Sequence, residues 1–270
     1  MIELSHVTVM RRDKKVLTSV TAKAVAGEVV ALIGPNGAGK STLLQVMAGD
    51  LEASAGSVSF AGRELGHWKV LDLARRRSVM SQSTRLGFTL PVVDVVALGR
   101  SPFHALKSTA ENNQAVEAAM RLAGVDSFAD RSYSTLSGGE QQRVQFARAL
   151  AQIDFTQKDS SALLLDEPTA SLDLAYAYHA LKVARSLARQ GVAVVAAIHD
   201  LSLAYRYADQ VIVIQNGRIV ASGPPALSMT PEILAQTFGI DAAYYEGGLV
   251  IRGVADDRRL PEISASNHAA

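Results

Sequence analysis

Three short runs combine residue types and spacings that could do chemistry. The first is Gly34-Pro35-Asn36-Gly37-Ala38-Gly39-Lys40-Ser41, followed by Thr42. It fits G-x-x-x-x-G-K-[ST], a pattern whose chemistry is phosphate binding. The glycines let successive backbone N–H groups converge on phosphate oxygens at a helix N-terminus. Lys40 adds a point charge for the β- and γ-phosphates, and the Ser41 hydroxyl is a ligand for Mg²⁺. The second run is Ala162-Leu163-Leu164-Leu165-Asp166-Glu167-Pro168. Its carboxylates emerge at the C-terminal end of a buried strand, where parallel sheets bind ligands. Asp166 is placed to hold Mg²⁺ through its water shell. Strand alternation turns Glu167 to the other side, where it is the candidate to polarise an attacking water. The third run is Leu136-Ser137-Gly138-Gly139-Glu140-Gln141-Gln142-Arg143. Ser137 and Glu140 have the spacing of a capping box. Paired glycines at a helix start also expose N–H groups to an anion, so both readings stand.

These runs need elements to position them. Residues 2–10 and 16–25 alternate like strands and predict an N-terminal antiparallel β-subdomain; the apolar run 29–33 then leads into the phosphate loop. Further strands are predicted at 57–60, 162–165, 192–198 and 210–214, with a strand-like run at 77–81 and helical stretches between them such as 175–189. Apolar strands alternating with helices predict an α/β fold, a parallel sheet covered on both faces. From about 72 to 134 the texture is Ala, Arg and Leu at helical spacing, which predicts an inserted helical subdomain running on through the third motif to about 152. One domain over 1–254 is expected, with a small, polar, loose tail at 255–270.

Composition excludes several classes. Of 270 residues, 27 are Lys or Arg and 26 Asp or Glu, a net charge of +1 that argues against a nucleic-acid partner. No cysteine is present, so disulfides, thiolate metal sites and thiol nucleophiles are ruled out. The longest apolar runs are strand-sized, well short of the roughly 18 residues of a spanning helix. The first residues show no apolar signal-peptide core, so a cytoplasmic location is expected.

The string LSGGEQQRVQFARAL at 136–150 resembles the signature of ATP-binding-cassette (ABC) ATPases, and the order and spacing of the three runs match that family to about residue 250. The resemblance implies a P-loop NTPase core, ATP and Mg²⁺ as cofactors, and ATP hydrolysis driving transport. It makes Gln82 the glutamine that touches Mg²⁺ and senses the membrane partner. It makes Ser171-Leu172-Asp173 the loop that crosses the dimer, and His199 the switch histidine near the γ-phosphate. By residue chemistry alone, a histidine after a buried strand is more often structural. Ser137, Gly138, Gly139 and Glu140 would face the nucleotide of a second copy. The family usually stacks an aromatic ring on adenine near the end of the first strand; here Arg11 and Arg12 stand in that place.

The stretch 88–102 carries V-x-x-x-V-x-x-G-R-x-P, similar to ATPases that serve importers of iron–siderophore complexes, haem and cobalamin. The same stretch also reads as a loop and short amphipathic helix that pack on the helical subdomain. A polar loop at 154–161 and the residues after it are most like the haem-importing branch. The implied partners are a second ATPase subunit, two integral-membrane permease subunits and, indirectly, a substrate-binding protein, which places the chain on the cytoplasmic face of the inner membrane. A DNA-repair or chromosome ATPase of the same superfamily is the rival from another class. Only 94 residues separate Ser41 from Leu136, without sustained heptads, which disfavours it.

Overall fold

The computed structural model describes residues 1–81, 89–154, 161–170, 172–245 and 248–255. Gln82, Ser171, most of the 154–161 loop and the tail beyond 255 lie outside the described residues, as does Phe88.

The chain opens with β1 (Ile2–Arg11) and β2 (Lys14–Ala24), an antiparallel pair, then β3 (Val29–Ile33) and α1 (Lys40–Ala48). β4 (Ala55–Phe60), β5 (Arg63–Glu64), α2 (Val70–Ala74) and β6 (Arg77–Met80) follow. A helical stretch comprises α3 (Val92–Ala97), α4 (Thr109–Leu122) and α5 (Gly138–Ala151). The core resumes with β7 (Ala162–Asp166), α6 (Leu174–Arg189), β8 (Ala193–Ala197), α7 (Leu201–Tyr207), β9 (Gln210–Gln215) and β10 (Arg218–Gly223). The last described elements are α8 (Pro225–Ser228), α9 (Pro231–Phe238), β11 (Ile240–Tyr245) and β12 (Gly248–Val254).

The central sheet has the order β10-β9-β3-β8-β7-β6 and is parallel except for β10. Its inner strands are apolar throughout because both faces are covered. On β3, Val29, Ala31 and Ile33 face one core, packed with Leu181, Ala184 and Leu187 of α6. Val30 and Leu32 face the other, packed with Leu43 and Met47 of α1 and Leu4 and Val7 of β1. β7 divides the same way: Leu163 and Leu165 belong to the first core, Ala162 and Leu164 to the second. This two-sided burial turns an alternating pattern into a continuous apolar run. The antiparallel sheet β2-β1-β4-β5 closes the second core.

β6 falls on the strand-like run 77–81 inside a segment of otherwise helical texture, and it pairs with β7 as the edge of the central sheet. The C-terminal elements from β10 to the β11–β12 hairpin differ from the sequence expectation, which placed no strand or helix between residue 214 and the tail. Among the described residues no helix is long and apolar enough to cross a membrane.

Candidate active site

The phosphate loop leaves β3 and enters α1 through backbone that a side chain would obstruct. A Cβ at Gly34 would stand 2.1 Å from the Ile214 carbonyl oxygen on β9. Gly39 caps α1 with φ +112°, and no side chain hydrogen-bonds to the cap, so the first-turn N–H groups are left for another acceptor. Lys40 is buried and donates to the carbonyls of Gly34 at 2.8 Å and Pro35 at 3.2 Å. Those bonds fold the ammonium over the loop. Burial pulls the Lys40 pKa below its ordinary value, opposed by the nearby carboxylates of Glu167 and Asp166.

Asp166 is the last residue of β7 and lies on the α1 side of the sheet, where it accepts a hydrogen bond from Ser41 Oγ at 3.1 Å. Burial raises its pKa above the usual carboxylate value, and the Ser41 bond partly offsets the shift. Glu167 is not placed by strand alternation, because the strand ends one residue earlier. It adopts φ +54°, the left-handed region, which costs a side-chain-bearing residue about 1–2 kcal/mol. This turn brings Glu167 Oε1 to 2.5 Å from His199 Nε2. His199 lies two residues beyond the end of β8, and Asp200 caps α7 behind it by accepting from the Leu203 N–H at 3.0 Å.

Lys40, Glu167 and His199 meet at one cavity of about 470 Å³, lined also by Asn36, Gly37, Gly39, Ser41 and Thr42, with Val16 of β2 beside them; Asp166 lines an adjoining cavity that shares Ser41. Pro35 and Ala38 belong to the loop backbone: the Pro35 carbonyl holds Lys40 and accepts from the Ala38 N–H at 3.2 Å. Oxygen acceptors, a buried cation and uncapped N–H groups around one space suit a phosphate ester and the water that attacks it.

The structure separates the remaining expected residues from this cavity. Ser137, Gly138, Gly139 and Glu140 form the start of α5 and do not line it. Ser137 and Glu140 make the reciprocal capping box: the Glu140 N–H donates to Ser137 Oγ at 3.3 Å, and the Ser137 N–H to Glu140 Oε2 at 2.8 Å. Arg131 pairs with the other oxygen of Glu140 at 3.1 Å, and these bonds hold the Glu140 carboxyl below its usual pKa. A Cβ at Gly138 would meet nothing within 4 Å, so this face of the helix start is open. Asp173 caps α6 through the Tyr176 N–H at 2.8 Å and pairs with Arg143 at 3.1 Å.

Arg11 donates to Gln45 Oε1 at 2.7 Å and lines a second cavity with Ser41 and Asp166, and Arg12 is part of the β1–β2 turn. Neither lines the phosphate cavity; the β2 side chain that does is Val16. No local pattern marks that valine. The G-R-x-P stretch has an internal role that the packing alternative anticipated. A Cβ at Gly99 would stand 2.3 Å from the Arg148 carbonyl of α5. Buried Arg100 donates to the Ala151 carbonyl at 2.8 Å and to Asn112 Oδ1 at 3.0 Å, fastening the C-terminus of α5.

The family model described as ABC transporter matches residues 17–170. The hemin import ATP-binding protein of Agrobacterium fabrum is 43% identical over 265 residues, covering 97% of this chain and 97% of that protein. That of Gloeobacter violaceus is 44% identical over 241 residues, covering 89% of this chain and 88% of its own. Among solved structures, the dimeric structure of a bacterial ABC transporter cassette has a TM-score of 0.74 at 26% identity, covering 83% of this chain and 99% of that one.

Proposed function

The chain belongs to the ABC transporter family of ATP-binding subunits, and from that premise we propose that it hydrolyses ATP to energise a membrane importer for haem. The observation that carries the chemistry is the convergence of Lys40, Ser41, Glu167 and His199 on one cavity at the C-terminal end of a parallel sheet. The observation that supports haem as cargo is similarity over nearly the whole length to hemin import ATP-binding proteins.

Two copies bind ATP between them, head to tail about a two-fold axis, as the dimeric cassette supports. The loop of one copy faces Ser137, Gly138, Gly139 and Glu140 of the other, whose separation from their own cavity fits a role in trans. Lys40 and the loop N–H groups take the phosphate charge. Glu167 accepts a proton from the attacking water, and His199 orients its carboxylate. Ser41 Oγ and Asp166 Oδ1, hard oxygens 3.1 Å apart, suit Mg²⁺. When bound, that ion neutralises charge on the phosphates. Gln82 is proposed to touch the same ion, and Asp173 to stand at the crossing between copies. Nucleotide-driven closure moves two permease subunits on which the pair rides at the cytoplasmic face of the inner membrane. A substrate-binding protein delivers the cargo.

Reconstitution of the chain with its co-purified membrane subunits tests the proposal. ATP hydrolysis should rise when a haem-loaded binding protein is added. Stimulation by ferric siderophore or cobalamin, with none by haem, would overturn the cargo.

A further inference from the structure

Glu167 occupies a backbone conformation that side chains disfavour, and such residues persist where their surroundings over-determine them. Its carbonyl oxygen accepts two hydrogen bonds. The Ala170 N–H, at 3.1 Å, belongs to the same turn and travels with it. The other donor is Gln142 Nε2 at 2.8 Å, a half-buried side chain reaching across from α5. Two neighbouring glutamines of α5 stay within its own layer: Gln141 donates to the Tyr133 and Leu136 carbonyls, and Gln145 to the Tyr133 hydroxyl. Gln142 instead crosses to the cavity.

The position of Gln142 on the helix gives this bond a consequence. It lies one turn beyond the Ser137 cap, at the end of α5 where Gly138 is open. The far end of α5 is fastened to the central sheet, where Ser78 Oγ donates to the Ala149 carbonyl at 2.6 Å and Gln152 Nε2 to the Arg77 carbonyl at 3.1 Å. A helix anchored at one end transmits displacement at the other. Resting on the proposed reading of Glu167, we infer that Gln142 is a positioning residue for hydrolysis. Its amide holds the Glu167 turn in register with the start of α5, so that docking of a phosphate there sets the carboxylate in its own copy's cavity. Occupancy of one ATP site of the dimer thereby bears on turnover at the other.

The test uses the full-length chain and three variants. Gln142→Met keeps the length and loses the donor; kcat should fall at least tenfold, with KM for ATP within twofold and the Hill coefficient for ATP near 1. Gln142→Glu presents an ionised carboxylate to the Glu167 carbonyl at pH 8, so its kcat should fall at least as far as that of Gln142→Met. Melting temperature and ATP affinity report whether each variant is folded. Near-wild-type kcat in a folded Gln142→Met would overturn the inference, as would near-wild-type kcat in a folded Gln142→Glu at pH 8. Glu167→Gln, run in parallel, separates the two ideas: if it stays active, the reading of Glu167 fails, whatever Gln142 does.

Discussion

Replacing Glu167 by Gln removes one charge and almost no volume, and the structure allows two effects to be weighed. In the resting chain the carboxylate stands 2.5 Å from a ring nitrogen of His199. An amide can keep a neutral hydrogen bond there, so the variant forfeits about 1 kcal/mol of interaction. If Glu167 served only to hold His199, that loss would slow turnover about fivefold. A general base contributes far more, roughly 10² to 10⁴ in rate, or about 2.7–5.4 kcal/mol of barrier. The two roles differ by at least an order of magnitude, and phosphate release at saturating ATP distinguishes them. Lys40 and the loop glycines are untouched, and the negative charge beside Lys40 is removed. ATP affinity should therefore hold or rise, and size-exclusion chromatography with ATP should show a persistent dimer. A Glu167→Gln variant turning over within about fivefold of wild type would refute the base assignment.

Gly34→Ala places a Cβ 2.1 Å from the Ile214 carbonyl oxygen, a backbone atom that cannot step aside. Destabilisation of about 3 kcal/mol and loss of nucleotide binding are expected, read by urea unfolding and labelled ATP; an unchanged midpoint would contradict the geometry. For Asp166, burial raises the folded pKa, so the folded chain keeps a proton that the unfolded chain has released above the ordinary value of 3.8. Stability attributable to this group is thus greatest below 3.8 and is lost as pH rises through the raised value. Asp166→Asn should melt higher than wild type at neutral pH, with the gap closing toward pH 4; a lower melting temperature at neutral pH would refute this. Arg100→Met should cost about 2–4 kcal/mol by leaving the Ala151 carbonyl and Asn112 Oδ1 without their donor, measurable by chemical denaturation.

Much of the fold was legible because two-sided burial leaves a local trace. The runs at 29–33, 162–165 and 192–198 are apolar for a reason that operates within the strand itself, and the elements found there lie within a residue or two of those expected. The phosphate loop was legible for the same kind of reason: its glycines, Lys40 and Ser41 are neighbours in the chain. The run at 77–81 showed β6 as a strand, without showing that it pairs with β7 as the edge of the central sheet.

What the sequence alone determined is the chemical inventory and its order along the chain: a phosphate loop, a strand ending in two carboxylates, a helix opening on paired glycines and a histidine after the next strand. Tertiary structure decided how those groups are used. It bonded Ser41 to an aspartate 125 residues away and put Val16 beside the loop. It turned Glu167 by a left-handed residue toward His199, and tied its carbonyl to Gln142 on a helix of another layer. The physical reason is common to all of these. Each depends on a contact between elements distant in the chain, and residue type and spacing record what a segment buries, without recording which far segment covers it.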